Sequence, residues 1–145
     1  MDAKRVRHAI MSQPALAPLN TGQRSNIADI LIEIGKPVRI PADSMLFRSG
    51  DPSDDQGYIL VEGEITVVKE GHPELTAYAP DIIGEMAQLN PTRQRTATVT
   101  AATDVQAIGF AWRDFVRTAS TRLSEADLKA FTEALQEHAW RHFTE

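Results

Sequence analysis

Residues 82–99 have the sequence IIGEMAQLNPTRQRTATV, which does not fit a simple connection between two strands. The stretch begins as an apolar strand that breaks at Gly84, and the next residues favour about one turn of helix before Asn90 and Pro91 end it. A short helix that opens directly after a glycine presents backbone N–H groups without intrahelical partners, and these donors attract an anion. Because Gly84 has no side chain, a ligand can approach its backbone closely. The stretch therefore predicts an anion-binding turn.

Arg95 lies in the same stretch, where the next strand is predicted to begin, and the small residues Thr96 and Ala97 follow it. An arginine among apolar strands is costly unless an anion pairs with it. Its planar guanidinium suits the paired oxygens of a phosphate. Two interpretations stay open on the residues alone: Arg95 binds an anionic ligand, or it forms a salt bridge with Glu85 that serves only the fold.

On both sides of this stretch, from about residue 37 to residue 111, apolar residues alternate or form short runs between turns rich in Gly, Pro and Asp. Short strands with turns at this spacing are typical of an antiparallel β-barrel or jelly roll, the cupin-like double-stranded β-helix. The strands are predicted at 38–40, 45–47, 58–61, 65–68, 75–79, 82–83, 96–101 and 105–110.

Helical periodicity flanks the predicted barrel on both sides. Before it, apolar residues at three- and four-residue steps predict a helix that is capped by Ser25 or Asn26 and stopped by Gly35. After it, 113–119 favours a short helix and Ser124 caps a long one. The predicted organisation is an N-terminal helical segment at 1–36, a mainly β barrel at 37–112 with the anion-binding stretch at 84–98, and C-terminal helices at 113–145.

The composition excludes several classes of protein. Since the chain has no cysteine, disulfides, thiol catalysis and thiolate metal sites are excluded. A net charge of -5 argues against a protein that binds nucleic acid through a basic surface, and it means that an anionic ligand must be held by a local positive site. No apolar run is long enough for a membrane span or a signal peptide. We therefore expect a cytoplasmic protein that makes no contact with membranes or nucleic acid.

The run GEMA at 84–87, followed by RTATV at 95–99, resembles the phosphate-binding cassette of the cyclic nucleotide-binding domain family. This family includes the bacterial catabolite activator protein and the regulatory subunits of protein kinase A. The similarity extends to GDPSDD at 50–55, to YIL at 58–60 and to RDF at 113–115, in the order that the family has. One departure is Pro80, which stands where the family usually has a glycine before the aspartate.

The resemblance covers about residues 10–120 and implies a role for each matching residue. Glu85 would accept a hydrogen bond from the ribose 2′-hydroxyl, Arg95 would pair with the cyclic phosphate, and Thr96 would donate from its hydroxyl. Backbone N–H groups at 84, 86 and 87 would bind the phosphate, and inward strand residues would flank the base or sugar. The implied ligand-binding residues are Gly84, Glu85, Met86, Ala87, Arg95, Thr96, Ala97, Val67 and Leu75.

The long C-terminal helix would lie over the base as a lid or form the seam of a homodimer. His138, Trp140 and Phe143 are candidates to contact the base there, and ordinary packing is the alternative for all three. The resemblance thus implies a non-enzymatic sensor that needs no cofactor and relays the binding of its ligand to a protein partner. It favours cAMP over cGMP, because the spacing from Gly84 to Arg95 resembles that of the bacterial activator.

Three alternatives are weighed against this function. A scaffold of the same fold would have lost ligand binding and would act by protein–protein contact. A cupin-like metal enzyme needs several histidines inside the barrel, yet of the four histidines only His72 lies in the strand region, and His138 and His142 are interpreted as surface or seam residues. A DNA-binding regulator needs a recognition helix, which the acidic residues after Phe115 do not fit.

Overall fold

The structure is a computed structural model that describes residues 3–52, 55–84, 95 and 97–144, with side chains as far as residue 138. Its described residues form four α-helices, a 3₁₀ segment and eight strands. The helices are α1 (Ala3–Ser12), α2 (Thr21–Ile34), α3 (Trp112–Arg122) and α4 (Glu125–Thr144), and the 3₁₀ segment is Pro14–Leu16. The strands are β1 (Lys36–Ile40), β2 (Met45–Phe47), β3 (Gln56–Glu62), β4 (Glu64–Val68), β5 (Leu75–Tyr78), β6 (Asp81–Ile83), β7 (Thr98–Ala101) and β8 (Val105–Ala111).

The strands pair antiparallel in two four-stranded sheets, with the orders β1-β8-β3-β6 and β2-β7-β4-β5. The inner faces of the sheets pack on one another, as the alternation along β4 shows: Ile65 and Val67 are buried, whereas Thr66 between them is partly exposed. This arrangement confirms the predicted fold class, a mainly antiparallel β-structure of the jelly-roll type with flanking helices.

The first sheet is covered on both faces, and this explains its continuous apolar runs. On β3, Ile59 packs into a core shared with the helices, whereas its neighbour Leu60 packs into the core between the sheets. On β6, Ile82 and Ile83 divide in the same way. The strand at the end of which Gly84 lies is therefore in contact with both cores.

The start of α2 differs from the prediction. A capping box precedes Thr21: the side chain of Asn20 accepts a hydrogen bond from the N–H of Gln23 at 2.8 Å, and the side chain of Gln23 accepts one from the N–H of Asn20 at 3.0 Å. The prediction that Ser25 or Asn26 caps this helix is wrong, because apolar periodicity begins at Ile27, six residues after the helix does. The end at Gly35 is confirmed.

The start of α4 is as predicted, since Ser124 Oγ accepts a hydrogen bond from the N–H of Asp127 at 3.1 Å. The helix packs against α3 and against the 3₁₀ segment, which also contacts β6. In the described part of the chain, no helix combines the length and the apolarity that crossing a bilayer requires.

Candidate ligand-binding site

The backbone of Arg95 is fixed by the turn between β2 and β3. Its N–H donates to the carbonyl oxygen of Asp51 at 2.8 Å, and its own carbonyl accepts a hydrogen bond from the N–H of Gly50 at 2.9 Å. These bonds join two motifs that lie about forty residues apart in the sequence, GDPSDD at 50–55 and the RTATV run that begins at Arg95. They also place Arg95 ahead of β7, which begins at Thr98, so the prediction that this strand starts at residue 96 is wrong.

The guanidinium of Arg95 is buried in a cradle of carbonyl oxygens and one aromatic ring. Nη2 donates to the carbonyl oxygen of Gln56 at 3.0 Å, and Nη1 lies 3.5 Å from that of Gly84. Cζ lies 3.7 Å from the centroid of the Phe47 ring, and only 6% of the residue is exposed. Carbonyl oxygens and the ring face both carry negative potential, and they offset part of the cost of burying the cation.

Phe47 is a member of this cradle that the sequence analysis did not identify. It is itself buried at the end of β2, and its ring also contacts that of Tyr58 on β3, with centroids 5.7 Å apart. A buried aromatic residue on an alternating strand is usually an ordinary core residue, so its position alone gave no signal.

Gly84 directly follows β6 and has a backbone conformation that favours glycine, with φ of +95°. A Cβ at this position would lie 2.7 Å from the carbonyl oxygen of Gln56 and 3.4 Å from Nη1 of Arg95. No side chain fits there without a shift of the β3 backbone. The glycine therefore lets β6, β3 and Arg95 approach one another closely, at the point where the predicted anion-binding turn begins.

Several other predicted site residues come together in the core between the sheets. Val67 and Leu75 face each other in register on β4 and β5, and Val67 and Ala97 belong to the same buried cluster as Phe47, with Leu75 packed against it. The predicted residues Glu85, Met86, Ala87 and Thr96 lie outside the described residues, so the roles assigned to them stay predictions.

The interpretation of His138 as a surface or seam residue is wrong. Its side chain is 8% exposed, and Nε2 lies 2.9 Å from Oδ1 of Asp81, a carboxylate that is itself buried. The face of α4 that carries Phe131, Leu135 and His138 is turned inward, and Asp81 supplies the partner that a buried imidazole requires. The side chains of Trp140, His142 and Phe143 lie outside the described residues.

The remaining described histidines are scattered. His8 lies on α1. His72 lies in the turn between β4 and β5, where its backbone N–H donates to the carbonyl oxygen of Lys69. Among the residues that the structure describes, no three His, Asp or Glu side chains lie close enough together to hold a metal ion.

A family model described as the cyclic nucleotide-binding domain matches residues 37–137, a range that contains seven of the eight strands in full, nearly all of β1, all of α3 and most of α4. The chain belongs to the cyclic nucleotide-binding domain family. The family that the cassette resemblance implied is thereby confirmed.

Two curated relatives are similar in sequence. A Pycsar effector protein from Rhodovulum sp. is 36% identical over 78 residues, which are 52% of this chain and 30% of that protein. A cyclic nucleotide-gated potassium channel from Rhizobium etli is 38% identical over 88 residues, which are 59% of this chain and 24% of the channel. The chain thus spans less than a third of the length of these two relatives.

Among solved structures, the regulatory domain of Toxoplasma gondii PKA, crystallised with cAMP, aligns with 96% of this chain and 50% of its own, at a TM-score of 0.71 and 20% identity. At that identity the likeness shows a shared fold. It does not identify the ligand of this chain.

Proposed function

We propose that this chain is a non-catalytic sensor that binds a 3′,5′-cyclic nucleotide, with Arg95 paired to the cyclic phosphate and Glu85 to the ribose 2′-hydroxyl. The observation that carries the proposal is the placement of Arg95. Its guanidinium is buried, held by the carbonyl oxygens of Gln56 and of Gly84, the first residue of the cassette, and stacked on the ring of Phe47. A cation fixed in this way needs little reorganisation to meet an anion.

The electrostatics of the chain agree with a local site. The net charge of -5 disfavours the approach of a phosphate to most of the surface. Burial of Arg95 lowers the dielectric around the guanidinium and strengthens its pairing with a phosphate oxygen. Recognition of the anion thus depends on a local site around Arg95 rather than on the field of the whole molecule.

The phosphate and the ribose are common to all cyclic nucleotides, so Arg95 and Glu85 do not select the base. We propose cAMP in preference to cGMP, because the spacing from Gly84 to Arg95 resembles that of the bacterial activator. The output is a change in the flanking helices that a protein partner detects. Cyclic nucleotide binding itself depends neither on this choice of base nor on the output through the helices.

The first test is a thermal melt with cAMP, cGMP, the two pyrimidine cyclic nucleotides and 5′-AMP, each in turn. At a free ligand concentration of about a hundred times Kd, binding adds ~2.7 kcal/mol to the free energy of unfolding. For a domain of this size the midpoint should then rise by about 5–10 °C. A rise with a cyclic nucleotide but not with 5′-AMP is expected, and when all ligands are compared at one common concentration the largest rise identifies the base. No rise with any of them at millimolar concentration contradicts the proposal and favours the scaffold.

The second test is Arg95→Ala, with affinity measured by calorimetry. Removing one partner of a buried charge pair costs about 2–5 kcal/mol, so Kd should rise by about thirty-fold to several thousand-fold. The matched control is Arg39→Ala, because Arg39 is an exposed arginine on β1 that pairs with Asp104. Arg95→Ala protein that folds and binds as tightly as Arg39→Ala protein would show that the cassette assignment is wrong.

A further inference from the structure

A buried polar contact joins the C-terminal helix to the strand that leads into the cassette. His138 on α4 and Asp81 at the start of β6 are 8% and 4% exposed, and Nε2 of the imidazole lies 2.9 Å from Oδ1 of the carboxylate. The same oxygen accepts a hydrogen bond from the N–H of Ile82 at 2.8 Å. Both partners are therefore tied to the backbone of β6.

Beyond Asp81 the connection continues to the candidate site. β6 is three residues long, every one of them is buried, and each pairs with β3 in register. Gly84 directly follows the strand, and its carbonyl oxygen accepts a hydrogen bond from Nη1 of Arg95. A shift of β6 along or away from β3 would thus move an acceptor of the guanidinium that we assign to the phosphate.

On the helix side, the contact is the polar part of an otherwise apolar docking of α4. Leu135 is buried one turn earlier on the same face, and the 3₁₀ segment packs against both α4 and β6. A surface cleft of about 460 Å³ opens between that segment and α4, lined in part by Pro18, Glu137 and His138. The helix is therefore held at this point with open space beside it.

We propose that His138 and Asp81 form a positioning pair that couples the docking of α4 to the geometry of Arg95 and Gly84, so that ligand affinity depends on a helix residue that touches no ligand. The proposal rests on cyclic nucleotide binding as the function. Its physical basis is that Asp81, when it loses its imidazole partner, stays buried with one hydrogen bond fewer, so its desolvation is less well compensated. Moving either α4 or β6 thus breaks the same hydrogen bond. Such coupling is reciprocal: the position of α4 affects ligand binding, and ligand binding affects the position of α4.

The variants that test the pair are His138→Leu, which removes the polar partner, and His138→Gln, whose amide nitrogen can donate to the carboxylate. The control is Leu31→Ala, which removes buried apolar volume from α2 and leaves β6 and α4 unchanged in sequence. Cyclic nucleotide affinity is measured by calorimetry with whichever nucleotide stabilises the unsubstituted chain. We expect Kd to rise at least about five-fold in His138→Leu. The Gln variant should recover most of this loss, and Leu31→Ala should bind normally despite its lower melting temperature.

Two readouts separate positioning from mere stability. In the NMR spectrum of the unsubstituted chain, the imidazole ring resonances of His138 should shift when the nucleotide binds, whereas those of His8 and His72 should not. Without any ligand, amide exchange at residues 82–84 should be faster in His138→Leu than in Leu31→Ala at equal distance below their melting temperatures. This second readout tests the pair even in a chain that binds no nucleotide, so failure of the proposed function and failure of the coupling are distinguishable.

The results that overturn the coupling are equally definite. An unchanged Kd in His138→Leu together with unshifted His138 resonances would show that the pair serves only the fold. A lower Kd would show that the pair opposes binding and does not position the site. Equal amide exchange rates at residues 82–84 in His138→Leu and Leu31→Ala would show that the stability of β6 does not depend on His138.

Discussion

Phe47 limits how far the guanidinium of Arg95 can move, because its ring lies 3.7 Å from Cζ. Phe47→Leu keeps an apolar side chain but removes the ring face. A desolvated cation–π contact is worth up to about 2 kcal/mol, so Kd for the cyclic nucleotide should rise by roughly three- to thirty-fold. Phe110→Leu is the control, since Phe110 is equally buried and also contacts one aromatic ring, that of Trp112. Calorimetry on both variants checks this, and equal affinities would contradict a role for the Phe47 ring.

At the same scale, the sequence pointed to Arg95 and Gly84 but not to Phe47. Arg95 and Gly84 stood out because a charge among strands and a glycine at a break each demand a local explanation. Phe47 obeys the alternation of its strand, so nothing distinguishes it from a core residue until Arg95 is seen above its ring. The burial of His138 was not predicted because its partner Asp81 is 57 residues away in sequence, and nothing near His138 in the sequence indicates that contact.

The capping box of α2 provides a prediction at the scale of the element. Asn20→Ala removes the side-chain acceptor of the Gln23 N–H and should lower the free energy of unfolding by about 1 kcal/mol. Ser25→Ala is the control, because Ser25 lies inside the helix, where alanine is the better helix former. Urea melts of the two variants decide between the caps. If Ser25→Ala proved the more destabilising, the helix would begin where periodicity alone places it.

Elements were predictable where a period repeats and uncertain where it stops. The strands followed from alternation, and the two-sided burial of β3 explains why its apolar run is continuous. The first turn of α2 carries polar residues, so periodicity did not reveal it. The start of β7 was placed too early, because the backbone of Arg95 bonds to the turn at Gly50 and Asp51 and the strand pairing begins only after it.

At the scale of the whole molecule, the first sheet, β1-β8-β3-β6, contributes residues to two hydrophobic cores. Ile59, Ile82 and Ile108 of the first sheet pack with the helices, whereas Leu60, Ile83 and Ala107 pack between the sheets. A close-packed interior transmits a displacement because it cannot absorb it in voids. We therefore expect a change at Gly84 to reach the helices through neighbouring residues of the same short strands.

Hydrogen exchange of the full chain tests whether that displacement occurs. A ligand shifts an equilibrium only through its better fit to one state, so a saturating cyclic nucleotide should change the amide protection of residues 113–138 in α3 and α4. The expected change is at least several-fold in exchange rate, and Arg95→Ala protein with the same nucleotide concentration should show none. Protection that changes only near Gly84 would confine the response to the site. Such a result would contradict the relay while leaving nucleotide binding intact, because the helices would then not respond to the ligand.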